Sequence, residues 1–506
     1  RYWQRLRGSN VVHIRHAIAL LRTLLKYLQA YAQTTNHEDV LVRGVNQFLH
    51  EARADHINVF KIDRYLRESK IGRKLNMFAD RSANASCDGS KRTCTGNQAA
   101  QTDSSLSSSV APATAVAALE AFIGCIGSPD RTGARIVVRR RQQQSPGNVE
   151  KYAEITYVLM DPSEAFGELR RQARAVVLAG GTMTPATDIV EQLLPRFGRL
   201  SRLECNAREL YKLDPKNVQL FAWPHVVAPS HICAMVVEAG PTNVPLRFAL
   251  RDQQQQDQTC FRECGWALAS LCNVIPGGVV VFFPSHSLLS RMLQEWRSCG
   301  VAERISKRKK LIAESPSGND GSSQNVLAEY MKCVRKPGSL GAVLLSVVGG
   351  RLSEGINFSD DLGRAVVMIG LPFPSLASPE LNERLLYYES IGSRQHQEQQ
   401  NKANDSSLVA SNAAASKSYS MGPRARQLYE SLCMRAVNQS IGRAIRHRGD
   451  YAAIVFLDMR YAESRISSKL PSWITGSHGD RSIKCLKFGP ALAQIASFFK
   501  QDFGAL

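Results

Sequence analysis

Apolar residues recur three and four positions apart through the opening of the chain. Val12, Ile14, Ala17, Leu20, Leu21, Leu24, Leu25 and Leu28 trace one face of a helix over 11–34, and residues 41–75 continue in the same manner. Residues 76–113 break the pattern. They are rich in Ser, Ala, Asn, Thr and Gly with almost no large apolar side chain, and read as a disordered insertion. A helix near 114–126 is predicted next, then β-like runs at 134–139 and 153–160 with Gln142, Gln143 and Gln144 in a turn or loop. From residue 173 the period changes to short unbroken apolar runs, predicted as buried strands at 175–179, 278–283, 342–347, 365–369 and 452–457. Helical stretches at 286–298, 322–335 and 425–446 lie between them. Strand–turn–helix alternation predicts an α/β fold with a largely parallel sheet. The polar stretches 252–258 and 393–422 read as surface insertions.

Composition narrows the class. The chain has 506 residues, enough for two or three domains, and carries 64 Lys+Arg against 44 Asp+Glu, a formal net charge of +20. That excess favours a polyanionic partner such as nucleic acid; it is already present in residues 1–75, with 14 basic against 6 acidic residues. No run of 18 apolar residues occurs, so no helical membrane span and no membrane partner is expected. The chain opens without Met or a signal-peptide core and reads like the interior of a longer protein. Its 12 cysteines include no Cys-x-x-Cys, and core thiols in a reducing compartment are a better account of them than a metal site.

Candidate chemistry is concentrated in four blocks. Gln439, Arg443 and Arg446, in Gln-x-x-Gly-Arg-x-x-Arg, are spaced i, i+4, i+7, one face of a helix if the helix runs through them. Planar guanidinium forks suit the oxygens of a γ-phosphate, the layout of an arginine finger in a nucleic-acid-dependent NTPase. The alternative is an exposed basic helix with solvated arginines. At 176–185 an apolar run empties into Gly180-Gly181-Thr182-Met183-Thr184, placing amides and hydroxyls where open α/β sheets bind ligands, or forming a plain tight turn. A third block, 277–285, is a buried strand ending at Ser285. The fourth, 344–358, leads from a strand into a Gly-rich polar loop with Glu354, Gly355 and Asn357.

This ordered set resembles the later motor motifs of superfamily 2 helicases, specifically the XPD-like iron–sulfur family and its chromosome-loss branch associated with sister-chromatid cohesion. The resemblance rests on Ala179-Gly180-Gly181-Thr182-Met183, Pro276 to Ser285, Ser353-Glu354-Gly355-Ile356-Asn357-Phe358 and Ala436 to His447. It implies RecA-like parallel-sheet motor domains, the second complete over 226–506 and the first partial over 114–225, with residues 1–75 as the distal part of a helical arch. Arg443 and Arg446 would act on the γ-phosphate, and Gln439 would orient it or the attacking water. Glu354, Gly355, Asn357 and Gly442 would border the nucleotide; Gly181, Thr182, Thr184 and Ser285 would couple cleft closure to single-stranded or forked DNA. ATP, Mg²⁺, a 4Fe–4S cluster, 5′-to-3′ unwinding, replication or cohesion partners and a nuclear location are likewise implied.

The chain departs from that pattern in three ways. It has no Gly-x-x-x-x-Gly-Lys-[Ser/Thr], no Asp-Glu-Ala-His box, and no counterpart of the four cluster cysteines. Truncation is the expectation these departures set, with the missing N-terminal motor half as the chain's first partner. The rival is a non-catalytic nucleic-acid-binding or assembly module that keeps half of the motor fold. Lys307-Arg308-Lys309-Lys310 reads as a solvated basic helix end, with a nuclear-import signal or a DNA path as alternatives.

Overall fold

The computed structural model describes residues 8–34, 39–71, 112–127, 133–145, 148–180, 183, 186–193, 219, 221, 225–248, 257–314, 320–350, 352, 358–401, 421–475 and 483–501. The chain divides into two units, residues 1–162 with 376–387 and residues 163–375 with 388–506.

In the first unit, helix α1 (Gly8–Gln33) turns Leu20 and Leu24 inward. Strand β1 (Val40–Gly44), helices α2 (Val45–Glu51), α3 (Val59–Ser69) and α4 (Pro112–Ile126), and strands β2 (Ala134–Ser145) and β3 (Asn148–Leu159) follow. The strand β1 corrects the expectation of continuous helix from residue 41. Its Val-Leu-Val start suits a pleated surface, and it pairs antiparallel with β2 from Val40↔Arg139 to Gly44↔Arg135. Asn58 starts α3 by accepting the Lys61 N–H on its side chain. The β2–β3 ladder is longer than predicted: Gln142, Gln143 and Gln144 pair with Lys151, Glu150 and Val149, up to Ser145↔Asn148. The glutamines belong to the strand and not to a turn, because ladder pairing satisfies a polar residue's backbone as well as an apolar one's. Ile136 and Val138 carry β2 into a core with Phe48, Ile62 and Ile126.

The second unit begins with α5 (Ser163–Gln172) and α6 (Ala186–Leu193). Between them the expected strand at 175–179 does not form. These residues have no regular structure, and Val177 and Leu178 are 87% and 47% exposed. A strand needs neighbours for its N–H and C=O groups, and among the described residues none pairs with this segment. Then come β4 (Ile232–Val237), α7 (Asp257–Val274), β5 (Val279–Phe283), α8 (His286–Ser298), α9 (Val301–Ser306), β6 (Lys310–Ala313), α10 (Asp320–Arg335), β7 (Ala342–Val347), β8 (Ala365–Ile369), α11 (Pro379–Asn401), α12 (Pro423–Ile441), β9 (Ala452–Leu457), β10 (Cys485–Leu486) and α13 (Phe488–Phe498). The first part of the polar stretch 393–422 is therefore helical, while 402–420 lies outside the described residues.

The strands form one seven-stranded sheet in the order β10-β4-β9-β8-β5-β7-β6, every pair parallel. Period two sends Val279, Val281 and Phe283 to one face, against Leu268 of α7, Trp296 of α8 and Ile495 of α13. Val280 and Phe282 go to the other, against Tyr330 of α10 and Met434 and Val437 of α12. Helices on both faces explain why the central strands read as unbroken apolar runs.

Candidate functional site

Parallel strands place all their carboxyl ends at one edge. There Ser285 follows β5 and accepts the Leu288 N–H on its side chain at 3.2 Å, capping α8. At the same edge, two strands away at the end of β6, the buried carboxylate of Glu314 accepts the Ser346 hydroxyl at 2.8 Å and the Val347 N–H at 2.9 Å. Glu314 thus fixes the point where β7 passes into the turn at Gly349, whose φ of +74° suits glycine. A Cβ on Gly350 would stand 2.9 Å from Glu314 Oε1, so the turn and the carboxylate fit only because residue 350 has no side chain. Sequence reasoning missed Glu314; its signal was a lone acid directly after a short apolar run.

The arginines lie at the opposite, amino edge, where the chain leaves α12 and enters β9. Gln439 is exposed in the last turn of α12, and Gly442 still bonds back to Asn438 O at 3.1 Å. Arg443 and Ala444 reach only Ser440 O and Ile441 O, both at 3.3 Å, the three-residue steps of a tightening turn. The helix ends at Ile441, so the expected stripe of Gln439, Arg443 and Arg446 on one helical face is not formed. The groups that would extend the helix are taken elsewhere: Arg443 O accepts the Phe358 N–H at 3.3 Å, and the Arg446 N–H goes to Asp450 Oδ2 at 2.9 Å. Arg443 is half-buried and Arg446 exposed.

Asp450 is 1% exposed. Its Oδ1 accepts the Asp360 N–H at 2.9 Å, its own N–H bonds to His447 O at 3.0 Å, and its carbonyl oxygen meets His231 Nδ1 at 3.2 Å. His447 Nε2 stands 2.9 Å from Asp360 Oδ1. Gly442, the arginines and the end of the Gly-rich block are therefore brought together, while Ser285 sits across the sheet from them. Gly181, Thr182, Thr184, Glu354, Gly355 and Asn357 lie outside the described residues. Asp450 and His447 were missed because their partners come from distant segments. In the basic run 307–310, Lys309 is buried and donates from Nζ to Gly277 O and Leu340 O, so the run is not a continuous exposed tetrapeptide.

Residues 268–477 match the family model of the helicase C-terminal domain. The chain is 34% identical to the ATP-dependent DNA helicase DDX11 of Mus musculus in an alignment of 531 positions that covers 99% of this chain and 52% of the mouse protein. It is 34% identical to DDX11 of Danio rerio, covering 99% of the chain and 53% of that protein. It is 32% identical to the ATP-dependent DNA helicase chl1 of Schizosaccharomyces pombe, covering 99% and 52%. The chain is homologous over its whole length to the DDX11/Chl1 helicases. The resemblance seen in the motifs holds, and the seven-stranded parallel sheet is consistent with the RecA-like helicase domain. The chain spans about half the length of the curated relatives it matches. Among the described residues no helix is long and apolar enough to cross a membrane.

Proposed function

We propose that this chain is the arginine-bearing part of an ATP-dependent DNA helicase. The observation that carries the reading is the turn after α12, which holds Arg443 and Arg446 against the segment closing the Gly-rich block inside a helicase C-terminal domain. Charge brought to a transferring phosphoryl group is typically worth about 10³–10⁵ in rate. In this reading Arg443 and Arg446 supply that charge, Gln439 orients the terminal phosphate or water, and Gly442 lets the backbone approach. Glu354, Gly355 and Asn357 border the nucleotide; Gly181, Thr182, Thr184 and Ser285 relay closure to single-stranded or forked DNA. Residues 226–506 belong to a second motor domain. The expected boundary between an arch over 1–75 and a first motor domain over 114–225 is moved, since it would cut the β1–β2 ladder and the core they share, and 1–162 are assigned together to the arch. The phosphate loop and Mg²⁺ carboxylates come from an N-terminal motor half, and the whole works in the nucleus in cohesion, replication or repair, moving 5′ to 3′.

The described residues do not fit a 4Fe–4S cluster. Cys260, Cys264, Cys272 and Cys433 are buried, and the group of potential metal ligands whose donor atoms converge here, Asp360, His447 and Asp450, contains no thiol. Burial pushes the Cys233 thiol up to about 11 and Cys272 to about 12, the direction of inert core thiols.

The test uses the full-length protein that carries this chain. Arg443→Ala and Arg446→Ala should each lower DNA-stimulated ATP turnover by about 10³-fold or more while leaving single-stranded DNA affinity nearly intact. Lys at either position should rescue little, because a point charge lacks the forked donor geometry. Arg448→Ala should be mild. Equal losses at 443, 446 and 448 would indicate a generic basic surface and end the arginine-finger reading.

A further inference from the structure

One buried carboxylate joins two segments that the chain keeps far apart. Asp450 accepts the Arg446 N–H on Oδ2 and the Asp360 N–H on Oδ1, both at 2.9 Å. A few residues away, Phe358 N–H bonds to Arg443 O, so the segment 358–360 and the turn 443–446 are laced together twice. Asp360 holds φ at +55°, a left-handed conformation that a non-glycine residue keeps only when its surroundings hold it there. His447 closes the outer side. The Gly449 N–H donates to its Nδ1 at 3.2 Å, which leaves the proton of the neutral ring on Nε2, aimed at Asp360 Oδ1.

The donor atoms of Asp360, His447 and Asp450 lie within 4.8 Å of one another, a spacing a metal ion could use. Each Asp450 oxygen accepts a backbone N–H, His447 Nδ1 accepts the Gly449 N–H, and His447 Nε2 faces Asp360 Oδ1 at 2.9 Å and Asp450 Oδ1 at 3.5 Å, so these groups already serve one another. The cluster is a hydrogen-bonded clasp.

We propose that Asp450 is a positioning residue for Arg446, setting where the arginine-bearing turn stands relative to the segment that closes the Gly-rich block. The inference rests on Arg446 facing the transferring phosphoryl group. Asp450 need not touch nucleotide; it acts by holding the backbone from which Arg446 extends. Phosphoryl transfer is sensitive to such placement, since a shift of about 1 Å in a reacting group can cost on the order of 10²-fold in rate. An amide at position 450 would present one acceptor and one donor to two N–H donors, so Asp450→Asn keeps the shape and breaks one of the two bonds.

The experiment is a double-mutant cycle in the full-length protein, with ATP turnover, KM, single-stranded DNA affinity and melting temperature measured for each variant. Asp450→Asn is expected to lower kcat about 10- to 100-fold, with KM and DNA affinity within about 2-fold of wild type. Arg446→Ala is expected to lower kcat about 10³-fold, and the double variant no further than Arg446→Ala alone. Losses that multiply in the double variant, or an Asp450→Asn enzyme at the wild-type rate, overturn the positioning role while leaving Arg446 in place. Wild-type turnover in Arg446→Ala overturns the arginine reading itself, a separate outcome. If Asp450→Asn does not fold, His447 takes its place, being exposed at the outer side of the clasp. His447→Ala should then lower kcat about 3-fold or more at unchanged melting temperature, and His447→Gln, which restores a donor to Asp360, should recover it. Wild-type turnover in both His447 variants shows that the clasp positions nothing.

Discussion

An ammonium group that is 1% exposed is costly to bury, and Lys309 offsets part of that cost by donating to Gly277 O at 2.6 Å and to Leu340 O. These carbonyls belong to the turns feeding β5 and β7, where backbone approaches backbone so closely that a Cβ on Gly341 would fall 1.8 Å from Gly277 O. Desolvation pulls the Lys309 pKa down from 10.5 to about 8, with Cys272 opposing. Above about pH 8 the folded chain releases a proton that the unfolded chain keeps until about 10.5. The unfolded state then binds more protons, and this group's contribution to stability rises with pH through that window. Buried thiols with raised pKa act in the opposite direction above pH 9, so the comparison is with Lys309→Met, in which their contribution cancels. Wild type should gain about 1 kcal/mol on Lys309→Met between about pH 7.5 and 9, measured by denaturant unfolding. Parallel curves would mean that the ammonium keeps its water.

Most strands buried on both faces were legible in the sequence, but β4, with Met235 on one face and Val236 on the other, was not predicted. β5, β7, β8 and β9 stand where their apolar runs predicted, because a strand covered on both faces is nearly all apolar; Ser346 of β7 is buried with its hydroxyl bonded to Glu314. The edge strand β6 was hidden behind a basic run, and β10 is only two residues long, so neither leaves a periodic signal. The end of α12 was misread because Phe358 and Asp450 decide it, and no local pattern reports partners that distant. The segment 175–179 is the reverse case. Its apolar run is a strand signal, yet Val177 is 87% exposed with no strand beside it among the described residues. Val177→Lys should therefore change the stability of this chain by no more than about 0.5 kcal/mol. Val281→Ala, at the centre of the sheet and fully buried, should cost about 2 kcal/mol. Equal losses in thermal melts would show that 175–179 has a partner within the chain.

On the scale of the whole molecule, the net charge of +20 is the feature that the fold leaves unexplained. Core packing does not require it, and self-repulsion makes it a burden on a compact state unless a polyanion is present. Ion pairs such as Lys310 with Glu329 and Arg460 with Asp458 cancel inside the chain and leave that excess untouched; of the basic groups, Lys309 is buried on backbone carbonyls. The net excess is positive charge that phosphates can neutralise. This chain alone should therefore hold single-stranded DNA with little preference among sequences, because backbone phosphate contacts carry no base information. Each phosphate neutralised releases counterion, with a slope of about −0.7 per contact in log K against log salt for single strands. Four to seven contacts, an order-of-magnitude expectation, would give a slope of roughly −3 to −5. Fluorescence anisotropy with a labelled oligonucleotide over a salt series measures it, and a mixed-sequence competitor should displace a homopolymer at equal concentration. The same preparation should hydrolyse ATP no faster than buffer, since the sequence has no Gly-x-x-x-x-Gly-Lys-[Ser/Thr] to cradle phosphates. Affinity that does not change with salt would assign the positive charge to another use, and DNA-stimulated hydrolysis by this chain alone would overturn its reading as one part of a larger motor.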